Sequence, residues 1–209
     1  LDVVRVSPDG RRHPFAHVPR SLGEQPDLVA AAGRVYLAYT SRVLRVLPSG
    51  SVRTVLSGWQ VLGESERGML ALLPSRPSGE IGQPLRLHWW FPSWEREPAP
   101  VPSAFEAFQV LGWSSDSSAV AALGELDGRP GLWVVPLDRN ATPQMVLEGD
   151  PEAGFSVGPV AFAADDRFAF FATEDGLFGF DRSLGKLSKL QLPPDLERRV
   201  PNGPMVWVP

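Results

Sequence analysis

Three small groups of side chains in this chain are of types that do chemistry. His13 and His17 lie four apart in "HPFAH". On an extended strand they would share a face, and two imidazoles on one face can bind a metal ion. Pro14 interrupts the run and no third ligand is apparent, so surface or packing roles are the expectation. Asp116, Asp165 and Asp166 each follow a short apolar run. Carboxylates gathered near an axis can hold Ca²⁺ or supply an acid/base pair. An Asp in an inter-strand turn more ordinarily accepts hydrogen bonds from nearby backbone N–H groups. The third group is aromatic. "PLRLHWWFPSWERE", residues 84–97, puts Trp89, Trp90 and Trp94 beside His88 and Phe91, with Arg86, Glu95 and Arg96 around them. This run is either a binding platform or the inside of a fold.

Stronger signatures are absent. There is no G-x-x-x-x-G-K-[ST], G-x-G-x-x-G or H-E-x-x-H, and "GWSSD" departs from the G-x-S-x-G of a nucleophile elbow. The 209 residues include no Cys, which excludes disulfides, thiol catalysis and thiolate metal sites. A net charge of −4 gives no electrostatic reason to expect nucleic acid or an acidic membrane. Arg11-Arg12 and Arg198-Arg199 are short pairs, not stripes. Asn140-Ala141-Thr142 matches a glycosylation sequon, a pattern common by chance. No apolar run approaches the length that spans a bilayer. No catalytic residue, metal or cofactor is therefore assigned. The start at Leu1 reads as mid-strand, as in a processed protein or trimmed domain. Arg outnumbers Lys 18 to 2 and Asn is scarce, a bias that suits a GC-rich bacterial genome and a thermophile.

The elements that must position these residues repeat along the chain. Apolar runs ending in a Pro or Asp turn recur as "VVRVSPDG", "VLRVLPSG", "LHWWFPSW", "LWVVPLDR" and "LFGFDRSLG", with turn residues Pro8, Pro48, Pro92, Pro136 and Asp181. A second series pairs "WQVLGES" with "FQVLGWS" and "GPVAFAA" with "GPMVWVP". The first series has spacings of 40, 44, 44 and 45 residues, and the second, marked by Gln60, Gln109, Gly158 and Gly203, has 49, 49 and 45. Each unit holds short β-type runs divided by turn dipeptides such as Asp127-Gly128 and Asp175-Gly176. The clearest unit predicts strands at 108–114, 119–124, 131–137 and 143–147. The next predicts 158–163, 167–173, 177–180 and 189–192. Residues 20–28 and 194–199 are loops or single helical turns. Four strands per repeat of this length define a β-propeller blade. A lone four-stranded sheet has two apolar faces, and radial packing about an axis buries both.

"WSSDSSAVAAL" from Trp113 and "FAADDRFAFFAT" from Phe162 resemble the W-S-P-D-G signature of the WD40-like repeats of TolB-type propellers. Trp113, Asp116, Ala119 and Ala121 fit one copy, and Phe162, Asp165, Phe168 and Phe170 the other. Both lack the usual Pro and Gly of the turn. The resemblance implies an all-β propeller of four-stranded antiparallel blades in a single domain over residues 1–209. Five blades are expected, one of them split: strands at 2–7 and 12–18 would join an inner strand at 204–208. The alternative is a fragment of a six- to eight-bladed ring. The functional reading is a non-catalytic scaffold that binds a protein or cell-envelope component. The resemblance also implies an extracytoplasmic, periplasmic location. The rival is an enzyme, either a lactonase-like hydrolase or the propeller part of a serine peptidase.

Aligned on the turn residue, Arg5, Arg45, Trp89, Trp133 and Phe178 share one position and Val6, Val46, Trp90, Val134 and Gly179 the next. Strand side chains alternate faces. Trp89 and Trp90 therefore belong to opposite faces of one blade, as core between blades. His88 matches Leu44 and Leu132. The expected binding epitope is Trp94 with Glu95, Arg96 and Arg86, joined by the loop at 75–83.

Overall fold

The computed structural model describes residues 2–17, 26–31, 33–65, 67–75, 85–91 and 97–191. Among them the regular structure is strand, apart from one 3-10 turn at Pro151–Ala153. β1 (Asp2–Val6) and β2 (Arg12–His17) form a hairpin. The first blade is β3 (Asp27–Ala31), β4 (Arg34–Ala38), β5 (Arg42–Val46) and β6 (Val52–Ser57), in that order. The second blade is β7 (Trp59–Glu64), β8 (Leu70–Pro74), β10 (His88–Trp90) and β11 (Ala99–Pro100). The third is β12 (Glu106–Trp113), β13 (Ala119–Leu126), β14 (Arg129–Pro136) and β15 (Gln144–Glu148), with β9 (Leu85–Arg86) added beside β12. The fourth is β16 (Ala161–Phe162), β17 (Phe168–Thr173), β18 (Gly176–Asp181) and β19 (Lys186–Lys189). All pairing is antiparallel, the meander expected of propeller blades.

The strands form where the sequence has β-branched and aromatic runs, and they end at turns that need a left-handed backbone. Asp127 and Gly128, with φ of 53° and 73°, make the two-residue link between β13 and β14. That geometry is why Asp-Gly signals a hairpin. The second strand of each of the first three blades is buried on both faces, while in β17 of the fourth Phe168 and Phe170 are only half-buried. In β13 the first six residues are all buried, and in β8 the first four. Two neighbours thus cover each of the first three blades, as radial packing requires.

The core lies between blades. Tyr36, Val43 and Ala38 of the first blade meet Leu70, Leu72 and Trp90 of the second. Ala71, Leu73 and Trp89 of the second meet Val120, Ala122 and Trp133 of the third. Leu123, Leu132 and Val134 of the third meet Val160, Phe171 and Phe180 of the fourth. Trp89 and Trp90 therefore do face opposite blades, and the Trp90 indole meets the Tyr36 ring edge-on at 6.5 Å between centroids. Such pairs are worth roughly 1 kcal/mol beyond area burial.

Hydrogen-bond register corrects the alignment on the turn residue. Val46, Trp90, Val135 and Phe180 lie opposite Val35, Leu70, Val120 and Ala169, the equivalent positions of the second strands. These residues are 44, 45 and 45 apart. Pro136 and Asp181 are still in strand, whereas Pro48 is already in the turn. The later two blades are thus shifted by one against the earlier ones. His88 is the counterpart of Leu44 and Trp133, and Trp89 that of Val134.

The β1–β2 hairpin has the register of β5–β6, including the bulge at the same step, Val3/Val4 against Val43/Leu44. It is therefore the outer half of a blade. Val3 and Ala16 pack on Leu37, Leu44 and Val46 of the first blade. On its other face Val6 is 60% exposed, while its counterpart Val46 is 3% exposed. The strand expected at 204–208 to complete this blade lies outside the described residues, as do 20–25 and 194–199; of the stretch expected as loop or helical turn at 20–28, Asp27 and Leu28 instead begin β3.

Two further expectations shift. The outer strand expected at 189–192 is β19, Lys186–Lys189. It starts early because Asp181 Oδ1 accepts the N–H groups of Ser183 and Leu184 and closes a tight turn. Of the inner strand expected at 158–163, only Ala161–Phe162 is in the ladder. Just before it, the Val160 N–H crosses to Leu111 O of the third blade at 2.9 Å. Gly112 permits that approach, since a Cβ there would lie 2.1 Å from Val160 O. Gly112→Ala is expected to destabilise the protein by about 2 kcal/mol, the scale of overpacking. The nearest atom to a Cβ at Gly63, on the second blade, is Trp113 Nε1 at 3.5 Å, so Gly63→Ala should cost less. Urea unfolding of both variants checks the difference.

Candidate functional site

Trp94, Glu95 and Arg96 of the expected epitope, and the loop at 76–83, lie outside the described residues. Arg86 lies on β9, exposed, and its Nη2 donates to Val101 O at 3.5 Å. It pairs in register with Glu106 of the third blade. His88 is half-buried, with its Nδ1 2.9 Å from Arg86 O and its ring edge-on to Trp59 at 4.7 Å. Burial lowers its pKa, the charge of Arg86 adds to that, and the contact with Arg86 O only partly offsets them. His13 and His17 are both exposed on β2. Among the described residues, no group of three His, Asp or Glu side chains converges closely enough to hold a metal ion.

The chemistry-bearing residues the fold does bring together sit in the turns that follow the innermost strands. These turns share one frame. Ser114 N–H donates to Ala119 O, and Ala163 N–H to Phe168 O. Ser65 N–H donates to Met69 O in the second blade. Gly68, Ser117 and Asp166 all take the left-handed conformation, with φ of 78°, 61° and 56°. Ser117 and Asp166 occupy the place of the signature's glycine and adopt its backbone without its freedom.

Each carboxylate in these turns has a local task. Asp116 Oδ1 accepts from Ser114 Oγ and Ser118 N, both at 2.8 Å. Burial raises the Asp116 pKa, but the bonds from Ser118 and Ser114 and the charge of Arg67 outweigh it and hold the group below its usual range. Asp165 Oδ1 accepts from Arg167 N at 3.1 Å. Asp166 reaches across to the third blade. Its Oδ1 accepts from Ser115 N at 2.6 Å, and its Oδ2 from Ser115 Oγ at 2.8 Å and Asp116 N at 3.1 Å. Ala164 O, 3.1 Å from Ser115 Oγ, is the alternative acceptor for that hydroxyl. The result is a polar latch between blades. Sequence reading missed it, because Ser115 stands where the resembled motif has Pro and only a partner 51 residues away gives it meaning.

Arg167 and Asp181 form a second fixed pair, with Nη2–Oδ2 at 2.7 Å and Nε also in contact. The bonds from Arg167, then Ser183, hold Asp181 well below the usual carboxylate range. Arg182 Nη1 donates to Asp166 O at 2.7 Å, and its guanidinium lies over the Phe162 ring. Between the third and fourth blades these residues leave a groove of about 810 Å³, lined by Ser118, Thr142, Gln144, Arg167, Arg182 and Ser183 among others. A second cavity of about 650 Å³ involves Phe155, Ser156, Thr173 and Glu174. Glu64, on the second blade's innermost strand, has its pKa raised by burial, against a bond from the Ala30 backbone.

Two outcomes are expected. Ser117 Oγ is buried with no partner, so Ser117→Gly relieves both that and the backbone, for a gain of about 1 kcal/mol. Asp166→Gly relieves the same backbone but loses the latch, for a net loss of about 2 kcal/mol. Thermal unfolding separates the two. The pH dependence of Asp181 follows from its lowered pKa. Its contribution is present above the unfolded value of 3.8 and is lost as pH falls toward the folded value. Asp181→Asn should therefore lower stability at neutral pH and approach the parent protein in acid. Urea midpoints measured from pH 7 down to pH 2 check this.

No protein-family model matches the chain, and no curated protein sequence matches it. Solved structures do. An oligogalacturonate lyase from Vibrio parahaemolyticus aligns with TM-score 0.59 and 11% identity, over 91% of this chain and 60% of that one. A protein assigned as TolB from Agrobacterium tumefaciens aligns with TM-score 0.56 and 14% identity, over 88% of this chain and 66% of that one. The chain thus spans less than two thirds of each. Among the described residues no helix is long and apolar enough to cross a membrane. At these identities the likeness concerns architecture, and the sheets, their register and their inter-blade cores agree with it: the chain has the β-propeller fold of the TolB-like kind.

Proposed function

We propose that this chain is a non-catalytic β-propeller scaffold that binds a protein or a cell-envelope component. The observation that carries the reading is the use of the turn carboxylates. Asp116, Asp165, Asp166 and Asp181 hold backbone N–H groups, serine hydroxyls and Arg167 in place. Groups so engaged serve rigidity, and a rigid ring with varied loops is suited to presenting a surface. The likeness to a TolB protein supports a protein partner. The contact surface of this reading is Trp94 with Glu95, Arg96 and Arg86, an aromatic anchor among charges of the type found at interface hot spots. In this reading the β1–β2 hairpin is the outer half of a further blade of the same domain. A bacterial, extracytoplasmic setting accompanies this reading, supported by the composition and the TolB resemblance.

The second reading is an enzyme, favoured by one observation, the likeness to an oligogalacturonate lyase. Affinity capture from envelope extracts of a bacterial host, with cross-linking, tests the first reading. Trp94→Ala is expected to lower recovery of the captured protein about tenfold or more, the scale of a hot-spot residue, without changing the unfolding midpoint. Equal capture by both forms would remove this surface from the account. Turnover of oligogalacturonate by the purified chain would favour the enzyme.

A further inference from the structure

We infer that the outer half of the first blade carries an oxyanion-binding site formed by Tyr36, Arg45 and Arg53. The register places them in one row across β4, β5 and β6, Tyr36 opposite Arg45 and Arg45 opposite Arg53. Directly opposed residues of antiparallel strands project to the same face. Tyr36 packs against the second blade, so this row points into the seam between the two blades.

Three features of the row call for an anion. Arg45 and Arg53 are like charges at directly opposed positions, which destabilises a sheet. Neither has a carboxylate partner among the described residues. Tyr36 is fully buried and its Oη has no hydrogen-bond partner, and Arg45 Nε is likewise buried and unpartnered. A buried hydroxyl and a buried guanidinium N–H without acceptors are costly. One oxyanion accepting from both, and from the Arg53 fork, satisfies them and cancels the repulsion. The fold does not require the arrangement, since the equivalent pairs in the second and third blades are Trp89 with Ala99 and Val134 with Gln144.

The charge distribution agrees. Residues 1–57 hold eight Arg against four acidic residues, while the remainder holds twelve basic against twenty acidic. A chain acidic overall thus places a basic region over the hairpin and first blade, where it raises the local concentration of anions. The ligand class is a carboxylate or phosphate group. The inference does not rest on the Trp94 reading.

Thermal unfolding of the 209-residue chain tests the inference, with potassium phosphate titrated against potassium chloride at equal ionic strength and pH 7. Phosphate is expected to raise the midpoint in a saturable way beyond chloride, as a ligand bound only by the folded state does. Arg53→Gln should raise the midpoint without phosphate, by removing the repulsion, and weaken the response about tenfold or more. Tyr36→Phe should leave the phosphate-free midpoint unchanged or higher, because its hydroxyl has no partner, yet weaken the response. Arg53→Lys, which keeps the charge but not the planar fork, should respond between the two and serves if Arg53→Gln fails to fold. A hexaglutamate peptide in place of phosphate separates the sources. A stronger response to it points to carboxylates of a protein, and a weaker one to phosphate. Equal midpoints in phosphate and chloride, or an undiminished response in Arg53→Gln and Arg53→Lys, would overturn the site.

Discussion

Everything in this structure depends on the burial of two apolar faces per sheet. A strand such as β13, closed on both sides by Ala119 through Gly124, has no stable place at a solvent-facing surface. The neighbouring blades supply the cover, and near the axis they come into backbone contact. Leu111 O accepts the Val160 N–H across the boundary, and Gly112 leaves the room for it. Farther out the seams widen and larger side chains fill them, as Trp90 against Tyr36 and Trp133 against Phe105 do.

Polar groups are fitted into this frame in two ways. At the turns beyond the innermost strands the charges are satisfied locally or across one seam. Asp166 latches Ser115 and Asp116, and Asp181 holds Arg167 and its own turn. These interactions tighten blade positions that hydrophobic contact alone leaves free to slide. At the seam of the first and second blades Tyr36 and Arg45 keep unpartnered polar atoms, as Trp113, Ser117, Trp133 and Arg182 do elsewhere. What sets this seam apart from the second and third blades is the row of Tyr36, Arg45 and Arg53 across three strands.

The architecture was legible in the sequence because it is written by period. Spacing near 44 residues, alternating apolar runs and dipeptides such as Asp127-Gly128 all report local backbone geometry or simple repetition. The opposite orientations of Trp89 and Trp90 followed from strand alternation alone. Exact equivalence between blades did not follow, because Pro136 and Asp181 end their strands one residue later than Leu47 and Phe91 imply. A turn residue marks where a chain bends, while only hydrogen-bond register shows which residues lie opposite. The latch and the Tyr36–Arg45–Arg53 row were not legible for a related reason. Both join residues on different strands or different blades, and their types are unremarkable in isolation. Asp116 and Asp165 were expected to serve their turns and do so. Asp166 was expected to do the same and instead reaches a neighbouring blade.

The central claim is that the third and fourth blades are joined at their innermost strands by backbone contact as well as by side chains. Native-state hydrogen exchange of the Val160 amide tests it most directly, because Val160 lies outside the ladder of its own blade and its N–H bonds only to Leu111 O. Exchange as slow as that of amides in the middle of β13, lost together with them as denaturant is added, is the predicted result. Fast exchange at Val160 while β13 stays protected would contradict it, and would show blades held together by side chains alone.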